Sequence, residues 1–343
     1  MPSWSEQLTY PLRPENVACE PSEVRCGMRG LGRLLVVDRS SGAIAHSAVH
    51  DLPQWLSPGD VLVLNDCRRI PGVLHGRTPD GAQVELRFTH LEDQRRGVCR
   101  IYPTHSVEVG IRITFDNRVA AHVTHSGLPP QELWRVETDG PSLRDCLVEA
   151  GTPITSFFYS GLWKVENYNP CFAAGVEACE SPMAGLHFTP AILEHLRASG
   201  IVVVAITLQP VGSWLPLKEH DGQFQLPQEP YFVPEATAQT IREARRRESR
   251  VIACGTTVVR TLESSALDDR TIRSGDGQAA ISISPGYRFK VVDHYFTNFH
   301  PSSSSLMVLD AAFCDRQLLL KAYREASEAG YLFYEFGDAV FYR

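Results

Sequence analysis

Beyond Pro153 the chain alternates between continuous apolar runs and runs with apolar residues at helical spacing. Residues 201–208 and 251–254 are apolar and rich in β-branched side chains, which is typical of buried strands. Helices are predicted from the cap residue Thr189 to residue 200 and from residue 234 to about 247, each ahead of one of these strands. Strands and helices that alternate in this way predict an α/β fold with a mostly parallel sheet, covered on both faces.

The two ends of the chain add elements to this sheet. Near the N-terminus the pattern predicts a hairpin and a buried strand, and near the C-terminus a strand, a polar loop and an apolar helix. The hairpin covers residues 34–49 with a turn at Gly42, and the buried strand covers residues 61–64. The later strand, loop and helix cover residues 289–293, 297–303 and 304–313. Ligands of open α/β sheets bind above the carboxyl ends of the strands, so the loops after residues 208, 254 and 293 are expected to lie together.

The segment from residue 72 to residue 151 has a different pattern. Short runs with alternating apolar positions are separated by Gly, Pro, Asp and Asn, and almost no helical spacing occurs. Several short strands between turn residues predict a small β-barrel or sandwich. We therefore expect an α/β catalytic domain formed by residues 1–71 and 152–343, with residues 72–151 inserted into it as a β-barrel domain.

The turn after Cys254 is the strongest candidate for a ligand site. Gly255 ends the strand, and Thr256 occupies the position expected for the N-cap of a helix. A helix that begins directly after a buried strand presents free backbone N–H groups and the positive end of its dipole, which suits a carboxylate or a phosphate. A glycine at such a position can also serve only as a turn.

Composition narrows the class of protein. The 343 residues are 43% hydrophobic and 21% charged with a net charge of −7, which is ordinary for a globular protein and argues against extensive wrapping by nucleic acid. The nine cysteines are scattered without a CxxC pair, and no apolar signal core or membrane-spanning run occurs, so a reducing, cytoplasmic location is expected. The arginines between residues 242 and 250 could contact phosphates or form a solvated helix face.

Three apolar runs end in dense polar clusters, at residues 181–189, 255–260 and 293–305. His187 and His300 in these clusters are candidate acid/base groups, although each could also be a partly buried histidine bonded to the backbone, which on its own is the commoner case. Asp293 could face a cleft or serve as a cap. Arg260 could clamp a carboxylate or pair with Glu263. No HExxH, GxGxxG, GxxxxGK[ST] or GxSxG motif occurs, so no metal, dinucleotide, nucleoside triphosphate or serine-hydrolase site is predicted.

Several longer stretches carry a resemblance to a known family. They are LLVVDRSSGAIAH at 34–46, LSPGDVLVLND at 56–66, RIPG at 69–72, AGLHFT at 184–189, GTTVVRTLES at 255–264, PGYRFKVVDHYFTNFH at 285–300 and the terminal AY…GYLFYEFGDAV. In these stretches the chain resembles the S-adenosylmethionine:tRNA ribosyltransferase-isomerases of queuosine biosynthesis (QueA). The resemblance implies an α/β domain interrupted by a β-barrel. It also implies transfer of the ribosyl part of S-adenosylmethionine to the aminomethyl group of a 7-deazaguanine in tRNA, without a metal, while adenine and methionine are released.

The implied reaction suggests roles for the polar clusters. The sulfonium acidifies the neighbouring C5′ hydrogens, so a base must remove one, and dipoles in a dry pocket must stabilise the resulting charge. His187 is the first choice for the acid/base and His300 the second. Gly255, Thr256 and Thr257 are expected to hold the polar groups of the co-substrate. Arg260 is expected to bind its carboxylate or a nearby anion, and Asp293 and Asn298 its ribose or the acceptor amine.

The chain also departs from the family pattern. TLHVGxGTF is replaced by TLQPVGSW at residues 207–214, LPKST by PSSSS at 301–305, and the final motif gains Glu335. These changes remove histidines and cations from the expected active face, and cations are what a tRNA backbone requires. Two alternatives to the family reaction therefore stay open. One is a paralogue that uses S-adenosylmethionine with a small-molecule acceptor, and the other is a non-catalytic RNA-binding relative.

Overall fold

The molecule is built around a large mixed sheet and a closed β-barrel. They are seen in a computed structural model, which describes residues 4–128, 133–156, 158–180, 182–213, 219–220, 223–224, 226–267 and 271–343. Within these ranges, none of the helices combines the length and apolar character needed to cross a membrane.

The helices and strands of the described residues follow one another along the whole chain. The strands are β1 (Arg33–Val37), β2 (Ile44–Ala48), β3 (Val61–Asn65), β4 (Arg68–Arg69), β5 (Val73–Arg77), β6 (Gln83–Leu91), β7 (Arg96–Tyr102), β8 (Arg112–Phe115), β9 (Ala120–Leu128), β10 (Leu133–Thr138), β11 (Glu177–Ala178), β12 (Val202–Leu208), β13 (Glu219–His220), β14 (Gln223–Phe224), β15 (Glu229–Val233), β16 (Val251–Cys254), β17 (Gly275–Ala279), β18 (His294–Asn298) and β19 (Ala339–Tyr342). The helices are α1 (Trp4–Gln7), α2 (Ser22–Cys26), α3 (Leu143–Ala150), α4 (Pro190–Ala198), α5 (Glu235–Arg246), α6 (Thr256–Ser265), α7 (Ser305–Phe313) and α8 (Arg316–Glu328). Short 3₁₀ turns occur at Pro14–Asn16, Val49–Trp55, Thr104–Ser106, Val165–Tyr168 and Met183–His187.

The large sheet has the strand order β17-β15-β12-β3-β16-β18-β19-β1-β2. Its four central strands β12, β3, β16 and β18 are mutually parallel, as the sequence pattern predicts. The sheet as a whole is mixed rather than mostly parallel, because β15, β17 and β2 join it by antiparallel pairing and β19 lies antiparallel to β18. The α/β fold class with an inserted barrel is confirmed.

Both faces of the sheet are covered, as predicted. Along β3, Val61 and Val63 pack into one apolar core, whereas Leu62 and Leu64 pack into the core on the opposite face. Helices α5, α6, α7 and α8 contribute to the first core and α4 to the second. A strand that is buried on both faces has no solvent-exposed face for polar side chains. For this reason β3 and β16 appear in the sequence as unbroken apolar runs.

The barrel closes through the strand order β10-β7-β6-β5-β8-β9 and lies within the predicted insertion, whose domain boundaries stay a prediction. Its interior is filled by large buried side chains such as Phe88 and Phe115. Helix α3, which was not predicted from the sequence, begins after Ser142, whose hydroxyl accepts a hydrogen bond from the N–H of Asp145. Leu143 and its neighbours on α3 belong to the barrel core, so the helix completes that core.

The predicted strand at residues 289–293 is wrong, and β18 begins only at His294. The reason is the buried carboxylate of Glu263 on α6. Its oxygens accept hydrogen bonds from the backbone N–H groups of Lys290 at 2.9 Å and of Val291 and Val292 at 3.0 Å. These donors are therefore unavailable to a neighbouring strand, and the apolar segment wraps around a carboxylate instead of joining the sheet.

Candidate active site

A cavity of about 490 Å³ opens above the carboxyl ends of β12, β16 and β18. Its walls include the residues that follow these strands, at 210–213, 255–257 and 299–301. The predicted convergence of the loops after residues 208 and 254 is therefore confirmed. The third loop follows Asn298 instead of Asp293, because β18 lies later in the chain than the sequence pattern indicates.

Gly255 turns the chain from β16 into helix α6. It has φ +85° and is itself the N-cap, whereas Thr256, which was predicted as the cap, is the first helical residue. Among the residues that the structure describes, no side chain caps this helix, so the N–H groups of its first turn remain available where the turn lines the cavity. Behind the turn, Asn65 at the end of β3 donates from Nδ2 to Oγ1 of Thr257 at 3.1 Å. The turn is thus fixed from the sheet side.

Arg260 lines the cavity, but its guanidinium is held by the protein. It forms a buried ion pair with Glu229 rather than the pair with Glu263 considered from the sequence. Its remaining hydrogen bonds go to the carbonyl oxygens of Pro227, Ala279 and Ile281. Burial raises the pKa of the Glu229 carboxyl to about 7, and the charge of Arg260 opposes that rise. Arg260 therefore secures the wall of the cavity, and its donors are largely used.

Two further carboxylates lie near the cavity. Glu180 accepts hydrogen bonds from the N–H and hydroxyl of Ser213, and burial raises its pKa. Glu335 lines the cavity, and burial raises its pKa while the charge of Arg69 opposes the shift. Arg69 is itself buried, and it donates to the carbonyl oxygen of Ile154. Glu335 makes no side-chain hydrogen bond or ion pair to the part of the protein that the structure describes, which leaves its carboxylate for a ligand.

His300 lines the cavity and is bonded on every side. Its Nδ1 lies 2.8 Å from Oδ2 of Asp310, and its Nε2 lies 3.3 Å from Oγ1 of Thr297. Its backbone N–H donates to the hydroxyl of Tyr323 at 3.0 Å, and its carbonyl oxygen accepts from the hydroxyl of Tyr10 at 2.7 Å. Since a carboxylate only accepts hydrogen bonds, the Asp310 contact places a proton on Nδ1.

His187 lies behind the cavity wall, and Asn298 separates it from the cavity. Nδ2 of Asn298 donates to Nε2 of His187 at 3.2 Å and to the carbonyl oxygen of Tyr334 at 3.1 Å. Burial lowers the pKa of His187 to about 4, and the charge of Arg25 adds to the shift. Asn298 lines the cavity as expected, whereas His187 is a neutral support behind it. His187, the first choice for the acid/base, is therefore not among the residues that line the cavity, because Asn298 lies between it and the cavity.

Asp293 lies at the opposite edge of the sheet. It precedes β18, and its Oδ2 accepts hydrogen bonds from the N–H of Val251 at 2.7 Å and from Nη1 of Arg245 at 2.6 Å. Arg242, in the same arginine cluster, pairs with Glu235. The expectation that Asp293 faces the cleft is wrong, since the carboxylate closes the amino end of the sheet. Arg242 and Arg245 are thus paired with acids, whereas Arg246, Arg247 and Arg250 are exposed.

Part of the remaining wall is apolar and aromatic. The rings of Phe158 and Tyr334 lie 4.8 Å apart at the edge of the cavity, and Met183 and Leu226 also line it. A flat aromatic base can bind against such a surface. Within the described ranges no group of three or more metal-ligand side chains comes together.

Asp310 and Glu180 are two residues of the site that were not predicted from the sequence. Asp310 carried a usable signal, because it is the one charged residue in the otherwise apolar helix α7, SLMVLDAAF. Glu180 carried none, since an acid beside a loop is ordinarily solvated. Glu335 was singled out only as a departure from a family motif, and its place in the cavity depends on the loop that precedes β19.

Comparison with known proteins finds relatives along the whole chain. A family model described as "Queuosine biosynthesis protein" matches residues 5–342. A protein of Moorella thermoacetica named S-adenosylmethionine:tRNA ribosyltransferase-isomerase is 38% identical over 343 residues, covering 98% of each chain. A protein of that name from Thermus thermophilus is 36% identical and also covers 98% of each. The crystal structure of S-adenosylmethionine tRNA ribosyltransferase from Thermotoga maritima is similar with a TM-score of 0.55 and 29% identity, covering 98% of this chain and 100% of that one.

Proposed function

The chain belongs to the queuosine biosynthesis protein family, and on that premise we propose that it is an S-adenosylmethionine-dependent ribosyltransferase-isomerase. It transfers the ribosyl moiety of S-adenosylmethionine to an amine, with release of adenine and methionine. The observation that carries this proposal beyond similarity is the cavity above β16, where the open first turn of α6 and the imidazole of His300 line one space.

S-adenosylmethionine fits the cavity by the chemistry of its parts. The N–H groups of Thr256 and Thr257 suit its carboxylate, because the dipole of α6 adds to their attraction for an anion. The N–H of Gly255 is already used, since it donates to the carbonyl oxygen of Phe296 at 2.8 Å. The apolar wall at Phe158 and Tyr334 suits adenine. Arg260, the residue expected to clamp the carboxylate, instead holds Glu229 and preserves the shape of the wall.

His300 is the better candidate for the acid/base. It lines the cavity, whereas His187 is shielded by Asn298 and kept neutral by burial. Nε2 of His300 is the ring nitrogen without a carboxylate partner. It can therefore accept the C5′ proton beside the sulfonium as a general base and later donate that proton as a general acid. His187 acts through Asn298, whose amide we assign to the ribose or the acceptor amine.

The acceptor is an amine, and Glu335 can pair with a cationic amine or a sulfonium. The cation would lower the carboxyl pKa that burial raises and so favour the charged form. Curated relatives carry tRNA in their names, so the first candidate is the aminomethyl group of a 7-deazaguanine in tRNA. One feature favours a small-molecule amine as the second candidate. The cavity rim at residues 303–305 is formed by serines, which bring no positive charge to a phosphate backbone.

The test is to incubate the protein with S-adenosylmethionine and assay adenine and methionine. Release that depends on tRNA bearing the aminomethyl-deazaguanine supports the first acceptor, and release with small primary amines alone supports the second. The variant His300→Gln should lose turnover, whereas His195→Gln, at an exposed position on α4, should retain it. Binding of S-adenosylmethionine without release under any condition would refute the catalytic proposal and favour a non-catalytic relative.

A further inference from the structure

Helix α7 buries one carboxylate in an apolar setting. Its sequence is SLMVLDAAF, and Asp310 is completely buried, with 0% of its surface exposed. Removing a carboxylate from water costs several kcal/mol unless hydrogen bonds or opposite charge compensate, according to the general behaviour of buried ions. A position of this kind therefore requires specific partners, which the surrounding contacts identify.

One carboxylate oxygen of Asp310, Oδ2, is part of a hydrogen-bond network with His300. Oδ2 of Asp310 accepts from Nδ1 of His300 and from the hydroxyl of Tyr323, both at 2.8 Å. The same hydroxyl accepts the backbone N–H of His300 at 3.0 Å. Side chain and backbone of His300 are thus tied to one buried carboxylate, directly and through Tyr323. Such a network leaves the imidazole little freedom to rotate or to change tautomer.

The network determines which ring nitrogen of His300 is free to accept a proton from a substrate. With Nδ1 donating to Asp310, the lone pair of the neutral ring is on Nε2, next to the hydroxyl of Thr297. Both His300 and Thr297 line the cavity. When Nε2 gains a proton, the carboxylate stabilises the imidazolium, and the Thr297 oxygen can accept the new N–H.

We infer that Asp310 is the positioning residue of His300, and this rests on the function proposed above. It holds the imidazole with Nδ1 protonated, so that Nε2 removes a proton from the carbon beside the sulfonium. The C–H bond breaks, its electron pair stays on that carbon, and the proton moves to Nε2. Asp310 touches no substrate, because it lies entirely behind His300.

The first test is a comparison of Asp310→Asn with the parent enzyme. The amide can donate to Nδ1 and so favour the opposite tautomer, and we expect kcat to fall about 10²- to 10³-fold while KM for S-adenosylmethionine changes less than about threefold. Glu263→Gln is the matched control, since it also converts a buried carboxylate to an amide but lies outside the cavity lining. Its kcat should stay within about twofold of the parent.

The tautomer can be observed directly. Long-range ¹H–¹⁵N spectra, with the His300 signals identified by their loss in His300→Gln, should show protonated Nδ1 in the parent protein and protonated Nε2 in Asp310→Asn. If Asp310→Asn does not fold, the spectrum of the parent alone still decides, and a proton on Nε2 there would overturn the inference. The inference would also be overturned if Asp310→Asn lowered the residual kcat of His300→Gln by the same factor as it lowers the kcat of the parent enzyme. If the parent releases no adenine, the proposed function fails, while the spectra still report on Asp310.

Discussion

The burial of His187 predicts a specific dependence of stability on pH. Folding lowers the pKa of this imidazole from 6.5 to about 4, because the ring is removed from water and lies near the charge of Arg25. Between about pH 6.5 and pH 4, His187 is therefore mostly protonated in the unfolded chain and mostly neutral in the folded chain. Protons then favour the unfolded state, so the free energy of unfolding should decrease as the pH falls from 7 towards 4.

The size of the effect follows from the two pKa values. Proton linkage gives a loss of about 2 kcal/mol between pH 7 and pH 5, rising to about 3 kcal/mol once the pH is below both values. The variant His187→Gln removes the titrating group while Oε1 of glutamine can still accept the hydrogen bond from Asn298. Its stability should consequently fall about 2 kcal/mol less than that of the parent protein over the same interval.

Urea unfolding at pH 7, 6 and 5 measures this difference, with far-ultraviolet circular dichroism and tryptophan fluorescence as independent probes. Comparing the pH dependence of the unfolding free energy in the parent protein and in His187→Gln isolates the contribution of His187, because all other titrating groups are common to both proteins. His195→Gln is the control, since that side chain is exposed on α4 and stays in water when the protein folds. Equal pH slopes for the parent and His187→Gln would refute the argument that burial keeps this histidine neutral.

Three further predictions follow from the contacts of the site and its supports. Glu263→Gln should destabilise the protein by about 3 kcal/mol in urea unfolding, because an amide cannot accept from all three backbone N–H groups that the carboxylate binds. Gly255→Ala should cost about 1–3 kcal/mol in the same assay, since φ is +85° there. Glu335→Gln should weaken S-adenosylmethionine binding about tenfold by calorimetry, whereas the exposed Glu328→Gln should not, and equal affinities would exclude an ionic contact.

Local patterns were sufficient for most of the fold. The apolar runs at β3, β12 and β16 and the cap at Thr189 predict those strands and the start of α4 correctly. The helix predicted at residues 304–313 is α7, which begins one residue later because Ser304 is its N-cap. The antiparallel edges could not be predicted in the same way. β19 enters the sheet between β18 and β1, and its four buried residues do not encode which strands flank them. That choice depends on contacts between distant parts of the chain.

The candidate site was predictable where one turn contains the chemistry. Gly255, Thr256 and Thr257 lie together because they are consecutive, and strand order brings Asn298 and His300 to the same edge. The choice between the two histidines was not predictable. Both precede or follow apolar residues, and only the fold places an amide in front of His187 and a buried carboxylate behind His300.

The error at Asp293 has a geometric cause that also explains why the rest of the site was found. The apolar segment at residues 289–293 was placed in the sheet, whereas β18 occupies His294–Asn298, five residues further along. A strand advances about 3.3 Å per residue, so this shift displaces a side chain by about 16 Å, the length of a short strand. The residue expected at the carboxyl edge therefore lies at the amino edge. Asn298 takes its place above the sheet, because the alternation of strands and helices was correct even where the register of one strand was not.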